Sequence, residues 1–387
     1  MKKRFLACLC LFGSSVFACA SNDREALWEA TAEAIDKQLP KTAIEHLDKI
    51  LPDALNEKAY AEATKAMVMK IKLGASMDAS ANGITESAIK QLNDEIQKAP
   101  AEMLPVLHTI HALWLWEYYQ ENRWKFVNRT RTDVPPGDDF ATWDLARILA
   151  EIDRSFSSAL EHAETLKTTP ISDWMDVIEP GTVPTRYRPT LYDFLAHEAF
   201  SFYQAGERAP FGTETPFTIQ PEDPIFAPAN EFMAWKPETT DPKSPTLKAI
   251  QLFQDLLRFH ALDTDPSAFF DADLARIEFG RNATPQNRED SDYQTALQHL
   301  IEASIHHEIS SFARATLATH ISKQNPNEAH AIATAGFNAF PESEGGIDCY
   351  NLIQQIEAPK LEMSLQQTWN SSTEPIQIQF RNLNQIH

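Results

Sequence analysis

The chain has 387 residues, of which 43% are hydrophobic, and a formal net charge of -21. This length admits two or three domains, and the apolar content supplies a sizeable core, which argues against global disorder. The acidic balance argues against nucleic acid and against an anionic membrane surface as partners, and by itself names no ligand.

The first twenty residues stand apart. MKKRF is a basic opening, LACLCLFGSSVF is an apolar run too short to span a bilayer, and Ala18-Cys19-Ala20 fits a small-x-small cleavage site. Residues 1–20 therefore read as an export signal, and the chain is expected in the periplasm. Without Lys2, Lys3 and Arg4, 31 basic residues face 55 acidic ones, a net charge of about -24. VFAC at 16–19 resembles a bacterial lipoprotein box with Cys19 as the lipidated residue; simple cleavage after Ala18 or Ala20 is the alternative. Contact with a membrane is expected only through such an anchor. Cys8 and Cys10 fall within the signal, so the four cysteines provide no disulfide framework. Cys349 is expected to be a buried free thiol.

From residue 21 the apolar spacing is helical. Ala26, Leu27, Ala30 and Ala34 form one stripe, Pro40 opens a second helix, and Ala43, Ile44, Leu47, Ile50 and Leu51 recur at intervals of three and four. A third helix starts near Tyr60. The rhythm predicts helical hairpin repeats of the tetratricopeptide (TPR-like) kind with a degenerate period near thirty. ASMDASANG at 75–83 reads as a loop and 84–98 as a helix. The next helix is dense in aromatics, including Trp114, Trp116, Tyr118, Tyr119, Trp124 and Phe126, with Pro105 in its first turn. Such a cluster lines a glycan or peptide groove or, the blander alternative, glues helices together. Trp114 and Trp116 stand two apart and cannot share one helix face.

DVPPGDD at 133–139 is a break, and a helix is predicted over 140–165. TLYDFLAHEAFSFYQAG at 190–206 is another, with Thr190 as N-cap and Asp193 as the acidic partner three residues on. The stretch 211–245 carries seven prolines. Its Phe217, Phe226, Phe232 and Trp235 favour a segment that wraps over the helices against a mobile loop. Helices are predicted again over 246–260, 265–281, 291–322 and 327–340.

A search for chemistry finds little. His108 and His111 are three apart, His306 and His307 precede Glu308, and His320 and His330 follow, yet none completes His-Glu-x-x-His. Neither a phosphate-binding loop nor a dinucleotide fingerprint is present. No catalytic residue, metal ligand or cofactor site is expected, and the chain reads as non-enzymatic. The candidate interaction residues are Trp114, Trp116, Tyr119, Trp124 and Trp235.

The last residues, LEMSLQQTWNSSTEPIQIQFRNLNQIH at 361–387, change period. Leu361, Met363 and Leu365 alternate with polar residues, as do Ile376, Ile378 and Phe380, a half-buried strand pattern. A lone hairpin is marginal in water, so strand partners are expected for 361–387, and Pro359 marks a junction into a β domain.

QLPKTAIEHLDKILPDALNEKAYAEATKAMVMKI, PTLYDFLAHEAFSFY and CYNLIQQIEAPKLEMSLQQTWNSSTEPIQIQFRNLNQI together resemble the amino-terminal region of large bacterial α-2-macroglobulin-like proteins. The resemblance implies helical repeats running into a β-sandwich, within a molecule that inhibits endopeptidases by entrapment. It implies protein partners or peptidases reached through the full-length molecule. The thioester motif of that family is missing: Cys349 is followed by Tyr350-Asn351-Leu352 and inherits no thioester role. The expected fold class is thus mainly α, a TPR-like solenoid ending in the start of a β-sandwich. The expected divisions are the signal at 1–20, helical repeats at 21–206, a Pro-rich wrapping loop at 207–245, helical repeats at 246–356, and an incomplete sandwich at 357–387. The expected role is a non-catalytic scaffold, a fragment unable to trap peptidases alone. The alternative is a stand-alone periplasmic binding or scaffold protein for glycan or peptide.

Overall fold

The computed structural model describes residues 22–77, 86–127, 142–179, 181, 183–207, 217–284, 290–364 and 377–382. The expected export signal, its Cys19 and the break at 133–139 lie outside them. Contacts divide the chain into two units, Met1–Thr218 with Lys236–Leu256, and Ile219–Trp235 with Leu257–His387.

The first unit opens with α1 (Asn22–Asp36), α2 (Pro40–Asn56) and α3 (Tyr60–Ser76). Pro40 sits in the first turn of α2, where its missing N–H costs nothing. The two connecting turns are built alike. Gln38 (φ 56°) and Lys58 (φ 60°) take left-handed conformations. The Gln38 N–H donates to Ile35 O at 2.9 Å and the Leu39 N–H to Ala34 O at 2.8 Å. The Lys58 N–H donates to Leu55 O at 3.1 Å and the Ala59 N–H to Ala54 O at 2.8 Å. These are Schellman closures, which satisfy the last carbonyls of each helix and turn the chain back. Trp28, Ala43, Leu47, Ile50, Met69 and Leu73 then pack as one core.

Next come α4 (Glu86–Ile96), α5 (Leu104–Glu121) and α6 (Arg123–Val127). Eleven of the eighteen residues of α5 are buried, so it is a central helix rather than a surface one. It packs against α4, against α7 (Leu145–Ala159) and against α9 (Leu191–Tyr203). Between the last two lies α8 (Ala163–Thr168), so the helix predicted over 140–165 is two. Asp144 caps α7 by accepting from the Arg147 N–H at 2.8 Å. Thr190 and Asp193 form a reciprocal capping box on α9.

The second unit contains α10 (Ala229–Ala234), followed in the chain by α11 (Pro245–His260), inside which the unit boundary falls. Then come α12 (Ser267–Ala283), α13 (Asp290–Ala303), α14 (Ile309–Ile321), α15 (Pro326–Ala339) and α16 (Glu344–Glu357). Of the Pro-rich stretch, 208–216 lies outside the described residues. The portion belonging to this unit folds as a 3-10 turn at Pro224–Phe226 followed by α10. The buried Arg276 holds it: Nη1 donates to Ile225 O at 2.6 Å and Ala227 O at 2.9 Å, while Nη2 donates to Asp273 at 2.6 Å. Gly280 permits the approach, since a Cβ there would meet Ile225 at 2.8 Å. The helix predicted over 291–322 is also broken, between Ala303 and Ile309. The Ser304 hydroxyl donates back to Leu300 O at 2.6 Å, and His307 Nδ1 accepts the Ile309 N–H, so side chains serve the backbone at both ends of the break.

These contacts correct the expected fold class. Among the described residues the chain is mainly helical, its helices packed as bundles, not as a TPR-like solenoid entering a β-sandwich. In a solenoid each hairpin touches only its neighbours. Here α5 gathers α4, α7 and α9, and α14, α15 and α16 all pack on one another. No β-sandwich begins: β1 (Lys360–Ser364) and β2 (Gln377–Arg381) form a two-stranded antiparallel ladder, without a third strand or a second sheet among the described residues. Alternation of apolar residues reports a strand's two faces and carries no count of strands. The expected external strand partner for 361–387 is corrected with it, because β1 takes its hydrogen bonds from β2. The expected membrane contact gains no spanning segment, as none of the described helices is long and apolar enough to cross a membrane.

Candidate ligand-binding cleft

The first unit carries a cleft of about 530 Å³, within the range of small-molecule and peptide-side-chain sites. Five short pieces of the chain between Lys58 and Leu191 build it. The turn into α3 supplies Lys58, Tyr60 and Ala61, and the approach to α5 supplies Ala101, Glu102 and Pro105. The start and body of α8 supply His162, Thr165 and Leu166, and the 3-10 turn Ile171–Trp174 supplies Asp173 and Trp174. Leu191, the first residue of α9, closes it.

The floor and rim differ in character. Ala61, Pro105, Leu166, Trp174 and Leu191 are buried and form an apolar floor. Lys58, Glu102, His162, Thr165 and Asp173 are exposed around it. The local backbone fixes these positions. The left-handed Lys58 turns its chain from α2 into α3, and the Leu191 N–H donates to Thr169 O at 2.8 Å, tying α9 to the end of α8. The Ile171 N–H donates to Pro189 O at 2.9 Å, which holds the Asp173–Trp174 turn beside them.

A buried charged network lies under α1 and α3. Glu62 accepts from Trp28 Nε1 at 2.8 Å and Arg24 Nε at 3.2 Å, and Arg24 Nη1 also meets Glu57 at 2.7 Å. The Lys65 ammonium lies 4.6 Å from the centre of the Trp28 ring. Burial pushes the Lys65 pKa down, against the pull of Asp176 and Glu62, and burial pushes the Asp176 carboxyl up. Every charge in this network faces a protein partner, which marks it as structural.

Three arrangements elsewhere invite a catalytic reading; hydrogen-bond polarity speaks against the first and burial against the other two. Ser267 Oγ lies 2.9 Å from His307 Nε2, but the Ile309 N–H occupies Nδ1, so in the neutral ring Nε2 carries the proton. The Ser267 hydroxyl therefore accepts from His307 and donates to Asp265 at 2.5 Å. A nucleophilic serine needs the opposite polarity. His111 Nδ1 and Ser155 Oγ are 3.0 Å apart with both side chains buried. Burial, then His108 and Arg154, lowers the His111 pKa to about 4. Cys349 is buried, its thiol pushed up to about 11 by burial, which suppresses the thiolate.

The aromatic candidates are not brought together on one surface. Trp114 and Tyr119 are core residues, at 1% and 0% exposure. Trp116 is half-buried and stacks on Tyr119 and meets Phe202 edge-on, both at 5.3 Å between ring centres. Trp124 is 66% exposed. Trp235 belongs to the second unit and lies 6.2 Å from Phe232. Cys19 lies outside the described residues. Among those residues no group of His, Cys, Asp and Glu could hold a metal ion. The cleft residues Lys58, Tyr60, Glu102, His162, Asp173 and Trp174 were not singled out by the sequence, since no motif or spacing links positions so far apart.

No family model, curated protein or solved structure matches this chain.

Proposed function

We propose that this chain is an exported, non-catalytic helical scaffold that binds a short peptide segment of a partner in the cleft of its first unit. The observation that carries the reading is the construction of the cleft. An apolar floor of Ala61, Pro105, Leu166, Trp174 and Leu191 is ringed by exposed polar side chains and held by backbone hydrogen bonds that tie the end of α8 and the turn after it to the start of α9. That combination suits an apolar anchor residue whose flanking backbone and side chains stay wet. Peptide is favoured over glycan because Trp174 is only 6% exposed and offers no open ring face on which a sugar could stack. The export signal read in residues 1–20 supports a periplasmic place of action. Service within a larger peptidase-trapping molecule would use the same scaffold role, but nothing in the cleft calls for it.

The test is an array of capped pentapeptides that differ at the central residue, probed with the wild-type chain and with Ala101→Trp. Ala101 is exposed on the rim, so the larger ring obstructs the cleft without entering the core. Retention of peptides with apolar centres by the wild type, lost in the variant, supports the reading. Equal retention by both, or by neither, contradicts it.

A further inference from the structure

We infer that the peptide segment taken by this cleft is basic around its apolar anchor. This inference rests on the binding role proposed above and adds the chemistry of the ligand. Two rim carboxylates, Glu102 and Asp173, come from different segments and are exposed. Asp173 accepts from its neighbour Ser172 at 3.3 Å, and neither carboxylate forms an ion pair with a described residue. Glu164 of α8, outside the cleft lining, gives the contrast: it already has Lys167 at 3.3 Å.

Against these two negative charges the lining sets one lysine, Lys58, and the imidazole of His162. On the formal count used for the chain, two carboxylates against one lysine leave the rim net negative. The chain around it carries a formal charge of -21, so the long-range field has the same sign. A field of this kind concentrates cations and speeds their encounter, and it repels an acidic segment before contact. The apolar floor fixes the anchor and the rim selects its flanks. Lysine or arginine beside the anchor would find carboxylates whose ion-pairing capacity is unspent, whereas glutamate or aspartate would add like charge to both.

Isothermal titration with three capped peptides, KKLKK, EELEE and KKGKK, tests this on the wild type, on Glu102→Gln/Asp173→Asn and on Ala101→Trp. KKLKK is expected to bind the wild type at least about tenfold tighter than EELEE, more weakly as salt is raised. The double substitution is expected to weaken KKLKK about fivefold, the scale of two exposed ion pairs, and to leave the thermal melt unchanged. KKGKK, with no anchor, is expected to bind weakly everywhere, and Ala101→Trp to abolish the KKLKK response. EELEE binding as tightly as KKLKK overturns the inference, as does KKLKK binding that ignores the double substitution. Both results leave the cleft as a peptide site if Ala101→Trp still abolishes binding. Binding that survives Ala101→Trp counts against the cleft itself, and no response from any of the three peptides overturns the basic-ligand assignment.

Discussion

The indole of Trp28 donates to the carboxylate of Glu62 at 2.8 Å, joining α1 to α3. Both side chains are buried, and Arg24, also buried, donates to the same carboxylate. Removing Glu62 strands two donors at once. Glu62→Ala is expected to cost about 2–4 kcal/mol in urea unfolding, and Glu62→Gln, which keeps an acceptor for the indole, about 1–2 kcal/mol. Arg24 retains Glu57 in both variants, which keeps the loss short of the cost of an isolated buried charge. Equal stabilities for Glu62→Ala and the wild type would show that the network contributes nothing.

The left-handed turn at Gln38 invites a stabilising change. A side chain at φ 56° is disfavoured, and glycine relieves it. Gln38→Gly is expected to raise stability by about 0.5–1 kcal/mol in urea unfolding, after the entropy it restores to the unfolded chain. A loss would mean that the Gln38 side chain contributes more than its backbone costs. The same change at Lys58 mixes backbone relief with the loss of a cleft residue, so Gln38 is the cleaner site.

His111 makes stability depend on pH. Its ordinary pKa of 6.5 falls to about 4 in the folded chain, first through burial. Between those values the unfolded state binds the additional proton, so stability is full above about pH 6.5 and drains away as pH falls toward about 4. A shift of this size is worth about 3 kcal/mol over the whole window. His111→Asn cannot titrate there, and its urea midpoint is expected to fall less than the wild type's between pH 7 and pH 4. Parallel curves for the two proteins would remove His111 as the cause.

Gly336 and Cys349 are coupled by space. A Cβ on Gly336 would lie 2.5 Å from the Cys349 sulfur, with Arg314 Cβ at 3.2 Å behind it. Gly336→Ala alone is expected to destabilise by about 1–3 kcal/mol through overpacking of α15 on α16. Cys349→Ala removes the obstructing sulfur, so the double variant should be more stable than the sum of the single losses predicts, by about 0.5–1.5 kcal/mol. Additive losses would place the strain elsewhere, at Arg314 or in the backbone.

What could be read in the sequence was local. Pro40 as a helix opener and Thr190 as an N-cap with Asp193 in the first turn depend on residues within one turn, and the structure has both, the second as a reciprocal capping box. The apolar spacing of Ala43, Leu47 and Ile50 marked a buried face because one helix carries it. Periodicity runs out where the answer depends on distant segments. It could not show that α5 gathers three helices instead of one neighbour, nor that β1 and β2 pair without a second sheet among the described residues. It could not separate Trp114, in the core, from Trp124, in solvent, because both sit in one aromatic-rich run. The cleft was hidden for the same reason. Tyr60, Glu102, Leu166, Trp174 and Leu191 are unremarkable singly, and only the packing of α3, α5, α8 and α9 brings them to one place.

The central claim is that this cleft is where the protein binds. Methyl-resolved NMR of the chain with labelled leucine and alanine, titrated with the KKLKK peptide, reads it most directly. The account predicts that Ala61, Ala101, Leu166 and Leu191 shift together and saturably, while Leu47, Leu256 and Leu317 in the cores of the two units stay still. Shifts centred away from those four residues, or none at peptide concentrations that saturate the calorimetric titration, would contradict it.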